Sequence, residues 1–215
     1  VNGGNSSFYD AGGNLNSAGG FAFWINGSAL GVRHAGQNVT CTMQDAWFGT
    51  WHHYAAVRIG GVVTIFVDGV AQISGTRSEA VTQQTPWVGR ITYGYTMRGL
   101  MSGLRVVKGT GLYPANFSPS TEPLAAVSGT ILLLNVPSSG AFLADASSFN
   151  ATVANTGVTY STTAPGGASG IVTVANGVAT KVGTYGTLAL TEATGAYTFT
   201  PNAAAINALS ASTTE

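Results

Sequence analysis

Hydrophobic and polar residues alternate with a period of two along much of the chain, and helical spacing is nearly absent. That pattern predicts half-buried strands near residues 20–28, 38–43, 51–59, 62–68, 85–91 and 100–108. The Gly60-Gly61 pair lies between two of these runs and suits a two-residue hairpin turn, as Asp68-Gly69 does after the next. An antiparallel meander follows. After Pro123 arginine disappears and the chain turns to Ala, Thr, Val and Gly, with no charged residue between Ala146 and Thr180. The apolar run Ile131 to Leu134 predicts a strand buried on both faces, and residues 152–160 and 170–178 predict further strands. Only residues 202–209 favour a helix, and a short one. The fold class is all-β and antiparallel.

Composition changes the functional picture more than the fold. The chain has 215 residues, room for one large or two modest β domains. Lys plus Arg number 8 and Asp plus Glu number 8, so the formal charge is zero and only 7% of residues are charged, against about 25% usually. The basic residues from Arg33 to Lys108 are scattered singly, which argues against a nucleic-acid partner. With so little charge to keep surfaces apart, association with other copies into an oligomer or filament is expected. The single cysteine, Cys41, excludes an internal disulfide and is expected to be a small buried hydrophobe. No stretch of 18 apolar residues occurs, so no membrane-spanning helix is expected. The first residues lack an initiator Met and a basic leader, which predicts a mature product or a piece of a longer chain.

Three segments carry a resemblance: Phe21-Ala22-Phe23-Trp24-Ile25-Asn26, Thr50-Trp51-His52-His53-Tyr54-Ala55-Ala56-Val57-Arg58, and Ile65-Phe66-Val67-Asp68-Gly69-Val70. With Gly103-Leu104-Arg105-Val106-Val107-Lys108-Gly109 and the tail Leu112-Tyr113-Pro114-Ala115-Asn116-Phe117-Ser118-Pro119, they resemble a laminin-G-like, concanavalin A-type jelly roll of bacterial surface or phage appendage proteins. This likeness covers residues 1–125. Gly183-Thr184-Tyr185-Gly186-Thr187-Leu188-Ala189-Leu190 with Gly195-Ala196-Tyr197-Thr198-Phe199-Thr200-Pro201-Asn202 is similar to part of a VCBS repeat, a cadherin-like sandwich, over 166–215. Residues 126–165 form a strand-rich connector resembling the opening strands of a jelly roll, and whether 128–163 pairs within its own chain or with a neighbour's is open. The resemblance implies an extracellular or cell-surface adhesion module, or part of a phage virion, that binds glycans. The alternative is a purely structural subunit of a filament, surface layer or appendage, assembled by strand donation.

The same scaffold hosts glycoside hydrolases, which need two carboxylates flanking the scissile bond. The acids are Asp10, Asp45, Asp68, Glu79, Glu122, Asp145, Glu192 and Glu215, no two within five residues of one another. Without an alternating acidic strand, no catalysis is expected. His52 and His53, adjacent on an expected strand, would point to opposite faces and cannot share a metal, and the pair is read as core or strand-edge packing. Calcium at the Asp68 turn is open, with no site argued; before the closing Leu104-Arg105-Val106, where the resemblance implies acidic residues, the chain has Met101-Ser102-Gly103 instead. Aromatics are the better signal, because sugar faces stack on exposed rings. Trp24 and Trp51 fall on expected core strands. Trp47, Tyr93 and Tyr95 fall in Gly-flanked loops, and Arg33 and His34, read as part of a loop at Gly31–Gly36, would add hydrogen bonds to the same ligand. These five residues are the candidate ligand-binding set. Sequons at Asn5, Asn26, Asn38, Asn116 and Asn150 are at the level chance would produce in so Asn-, Ser- and Thr-rich a chain.

Overall fold

The computed structural model of the chain describes residues 6–11, 19–82, 85–90, 94–136, 138–163, 172–183, 185–191, 193–203 and 206. Its contacts divide into two units. The first comprises 1–100 and 108–119, the second 101–107 and 120–215.

In the first unit, alternation puts one apolar residue in two on a shared core. Strands β1 (Ser6–Asp10), β2 (Phe21–Ile25), β3 (Ala29–His34), β4 (Gln37–Thr42) and β8 (Trp87–Val88) form a sheet in the order β4-β3-β2-β1-β8. Strands β5 (Tyr54–Ile59), β6 (Val62–Val67) and β7 (Val70–Thr76) form a second sheet. Phe23, Ile25, Leu30, Val32 and Val39 of the first pack with Val63, Ile65 and Val67 of the second in one buried cluster. This is a β-sandwich, and it joins the all-β architecture the alternation predicts. The Gly60-Gly61 turn links β5 to β6 as expected, with Ile59 opposite Val62.

Several expectations are corrected. The segment read as a loop at Gly31–Gly36 is mostly strand: β3 runs to His34, and only Ala35-Gly36 turn. Gly31 misled the reading because its role is packing, not flexibility. A Cβ there would lie 2.6 Å from Cζ2 of Trp24 and 2.7 Å from Cγ2 of Thr40. Trp24 accordingly is not core. With Phe21, Phe23 and Ile25 pointing inward, period two sends Trp24 to the other face, where it lies half-buried against Ala22. Trp51, also expected in the core, precedes β5 and is half-buried.

The outer face of β5–β7 is covered by residues of the tail 108–119. Phe66 is buried under Tyr113 and Phe117, whose rings stack at 3.6 Å. The Phe117 N–H donates to the Gly69 carbonyl (2.9 Å), and the Ala71 N–H to Asn116 Oδ1 (2.9 Å). Gly69, at φ +78°, has the Phe117 carbonyl where a Cβ would sit, so no other residue fits.

In the second unit, β9 (Leu104–Val107) pairs with β10 (Thr130–Leu134), so this part of the 128–163 segment pairs within its own chain. Residues 152–160 form no strand, contrary to expectation. They follow a polar knot in which buried Asp145 accepts hydrogen bonds from the N–H groups of Leu133, Ser147 and Ala151. The expected strand at 170–178 is broken by an Asn176-Gly177 turn, both residues at positive φ, giving β11 (Val172–Ala175) and β12 (Val178–Gly183). With β13 (Gly186–Thr191) and β14 (Tyr197–Pro201) they form a meander in chain order. Most of the expected helix at 202–209 lies outside the described residues.

Candidate functional site

The register of the first sheet decides which candidate residues can meet. Phe21 pairs with His34 at one end and Ile25 with Leu30 at the other. β4 leaves the sheet where Thr42 pairs with Ala29, and the chain then makes a 3-10 turn at Asp45–Trp47. Arg33 and Trp47 are therefore at opposite ends of the sandwich, separated by about 13 Å of β3 alone. β8 runs antiparallel to β1, with Gly89 N–H donating to Phe8 O, so the following loop heads for the Trp47 end. That loop, closed by an Arg90–Thr96 bridge, carries Tyr95, which is 52% exposed. Tyr93 lies outside the described residues.

At the Trp47 end the side chains form a connected network. Trp47 is half-buried, with part of its ring against the core cluster, rather than free in a loop. Its carbonyl accepts a long hydrogen bond from Tyr54 Oη (3.5 Å). Burial, with some help from the Asp68 charge, pushes the Tyr54 hydroxyl up to about 12, so it keeps its proton. His52 Nδ1 lies 2.7 Å from Asp68 Oδ2, and His52 Nε2 lies 2.7 Å from Thr50 Oγ1 and 3.1 Å from the Ala46 carbonyl. The His53 N–H donates to Asp68 Oδ1 (2.8 Å). Burial would raise the Asp68 pKa, but the His52 hydrogen bond, the His53 N–H and the two imidazoles outweigh it and hold the carboxyl below its usual range.

This linkage was missed by reading His52 and His53 as residues of a core strand. Both precede β5: His52 turns to Asp68, while His53 packs edge-on to Phe117 at 5.5 Å. A signal was available. Counting back from the Gly60-Gly61 turn, the register that pairs Tyr54 with Val67 sets His53 beside Asp68. Calcium at Asp68 would have to displace these partners, and the described residues contain no cluster of three metal-ligating side chains.

At the opposite end, strands gather basic residues that are far apart in sequence. Arg77 Nη2 donates to the Asn38 carbonyl (2.6 Å), and Arg33 Nη1 makes a long contact with Asn38 Oδ1 (3.4 Å). Arg58 donates to the Glu79 carbonyl. His34 is fully buried, with Nδ1 4.0 Å from Glu79 Oε2. Burial, then the Arg58 charge, lowers its pKa, with Glu79 pulling the other way. A ring sealed in this way cannot touch a ligand, so His34 leaves the candidate set. Cys41 is half-buried beside the core, and burial pushes its thiol up, away from reactivity.

Three of the four carboxylates of this unit are set apart, while Asp45 lies exposed on the 3-10 turn that carries Trp47. Asp10 is fully buried, Glu79 is at the His34 end, and both Asp68 oxygens accept hydrogen bonds. On the outer face of β5–β7, Val57, Ile59, Val62, Thr64, Tyr113 and Pro114 line a groove of about 240 Å³. Thr64 Oγ1 there already shares a hydrogen bond with Ser74 Oγ (2.8 Å), leaving little to orient a sugar.

No curated protein and no solved structure matches the chain. A family model does, over residues 2–110: that of the concanavalin A-like lectin/glucanases superfamily. The matched span takes in the two sheets of the sandwich, the 3-10 turn bearing Trp47 and the Asp68-Gly69 hairpin, and on that match the chain belongs to the concanavalin A-like lectin/glucanases superfamily.

Proposed function

We propose that this protein is a non-catalytic adhesion module whose sandwich binds glycan at the end bearing Trp47 and Tyr95. Superfamily membership over residues 2–110 is the observation that carries the reading. Asp10 is buried, Glu79 lies at the opposite end and both Asp68 oxygens accept hydrogen bonds, which leaves Asp45 on the Trp47 turn without a second open carboxylate among the described residues of this unit and supports binding without hydrolysis, since glycosidases need two carboxylates facing one bond. The likeness of 166–215 to part of a VCBS repeat supports a place at a cell surface or on a phage virion. Arg33, at the other end, belongs to a different surface and is not part of this ligand set.

Tyr95 gives the clean test. Its ring is 52% exposed and lies outside the core cluster. Tyr95→Ala should lower retention on a responsive array glycan about tenfold, the equivalent of one aromatic contact near 1.4 kcal/mol, while thermal unfolding stays within a degree or two. Trp47→Ala should weaken retention and also reduce stability, because part of its ring packs on the core. Unchanged retention in both variants, or release of reducing sugar by purified protein, would sink this reading.

A structural, self-assembling role has its own support in the second unit. Leu188 pairs with Phe199 and Leu190 with Tyr197, placing four apolar side chains on one face of the β11–β14 sheet. All four are exposed, Tyr197 at 74%, while Thr187 and Ala189 on the other face are half-buried. Solvent-facing aromatic patches are association sites, and this one carries Lys181 opposite Leu188 at its β12 side. Sedimentation of the full chain should show mass rising with concentration, and Tyr197→Thr with Phe199→Thr should abolish the rise. A monomer at every concentration removes this second role.

A further inference from the structure

The arginines of the sandwich differ in what their donors do. Arg33 contacts Asn38 Oδ1, Arg58 donates to the Glu79 carbonyl, and Arg77 donates to the carbonyls of Thr76 and Asn38. Arg90 is held in another way. Its guanidinium carbon lies over the Trp87 ring, 4.5 Å from the centroid, and its Nε is buried with no hydrogen-bond partner among the described residues. No described acid comes within ion-pair distance of it: the ion pairs of this unit join His34 to Glu79 and His52 to Asp68. Contact with a ring face uses the flat of the guanidinium and none of its five N–H donors.

A half-buried donor kept from any acceptor is a cost to the fold. It is an advantage to a binding site, because ordering a long side chain before the ligand arrives removes that entropy from the binding step. A planar fork also matches the paired oxygens of a carboxylate or sulfate, which it grips through two parallel hydrogen bonds.

Strand β8 delivers this fork to the end that carries Tyr95. Trp87 pairs with Asp10, the Gly89 N–H donates to the Phe8 carbonyl, and Arg90 follows, bridged to Thr96. The Met97 N–H donates to the Gly89 carbonyl (2.6 Å), which pins the base of the loop beside that bridge. Tyr95 adjoins Thr96, so the exposed ring and the stacked cation stand on the two arms of one loop. We infer that Arg90, held by Trp87, is a binding residue for an oxyanion carried on a sugar, a uronic carboxylate or a sulfate ester, and that the glycan taken at this end is acidic. A single fork takes one anionic group; a nucleic-acid backbone would need a row of them. The sugar half of this statement rests on the reading of Tyr95 as a glycan contact, whereas the anion half rests on Arg90 and Trp87.

The test uses the full chain and three immobilised probes: oligogalacturonate, its methyl ester, and a sulfated galactan oligosaccharide. The wild type should retain the acid or the sulfate ester about tenfold more strongly than the neutral methyl ester. Which charged probe is held tells carboxylate from sulfate. Salt at about 0.5 M should erase most of the difference. Arg90→Gln should abolish it while the melting temperature stays within about 4 °C, the scale of one lost cation–π contact. Arg90→Lys, which keeps the charge without the fork, should keep only part of it.

A second readout is independent of Tyr95. The indole N–H signal of Trp87, assigned with Trp87→Phe, should move on addition of sodium galacturonate or sodium sulfate, also in Tyr95→Ala, and stay still in Arg90→Gln. Equal retention of all three probes, a preference that survives Arg90→Gln, or a Trp87 signal unmoved by either anion would overturn the anion site and leave the glycan reading to Tyr95→Ala. A Trp87 shift without retention of any oligosaccharide would uphold the anion site and remove the glycan reading.

Discussion

Phe66→Ala should lower the unfolding free energy by about 3 to 5 kcal/mol, the cost of emptying a fully buried aromatic site. The Phe66 side chain is 1% exposed, and its ring meets Phe117 edge-on at 5.5 Å and Tyr113 at 6.5 Å. Its removal takes away the surface on which the Tyr113–Phe117 stack rests. The hydrogen bonds from Phe117 N–H to Gly69 O and from Ala71 N–H to Asn116 Oδ1 should therefore loosen with it, which amide exchange at those two N–H groups would read. Trp24→Ala should cost less, about 1 to 2 kcal/mol, since that ring is only half-buried on the outer face of its sheet. Denaturant midpoints at constant slope measure both. A loss below about 1 kcal/mol for Phe66→Ala would mean that the tail does not cover this sheet.

Asp145→Asn should cost about 3 kcal/mol and flatten the acid side of the stability curve. The carboxylate is buried and accepts four hydrogen bonds at 2.8 to 2.9 Å: from the N–H groups of Leu133, Ser147 and Ala151, and from the Ser147 hydroxyl. Bonds to a charged acceptor contribute about 1.5 to 3 kcal/mol each, and an amide would point donors at donors. Burial alone would raise the Asp145 pKa, but these donors, Ala151 N–H foremost, hold it below the usual carboxylate range. The folded chain then releases this proton more readily than the unfolded chain. The stabilisation is complete above the unfolded value near pH 4 and is lost as pH falls toward the lower folded value. Titrating stability from pH 5 to pH 2 should show a steeper decline for wild type than for Asp145→Asn. The slope remaining in the variant has a source in Asp68, whose pKa is lowered for a similar reason. Identical slopes would show that the loop around Asp145 does not hold the anion.

Much of the sandwich was legible because its signals are local. The Gly60-Gly61 turn and the alternation around it specify β5 and β6, and the tail resemblance at Leu112–Pro119 marked the segment that covers Phe66. Errors came where one residue type serves two physical purposes. Gly31 reads as loop because glycine frees the backbone, but here it makes room for Trp24. Asn176-Gly177 cut a run read as one strand, although Asn-Gly is itself a strong hairpin signal. Trp24 was placed in the core because it falls on an expected core strand, when the alternation of that strand sends it outward.

Periodicity and composition, which are properties of neighbours along the chain, were enough for the all-β class and the weakness of electrostatics, while the quoted strand and tail motifs carried the resemblance to the superfamily. The sequence by itself also confined the chemistry to a few aromatic and polar side chains. Which of them share a surface was decided only by the tertiary structure, because strand register sets distance. Register parts Arg33 from Trp47 by the length of β3, seals His34 beneath the sheet, and brings His52 to Asp68 across sixteen positions of chain. Hydrogen-bond geometry at that contact depends on where two hairpins end, and the position of a hairpin's end is fixed by packing on the opposite sheet.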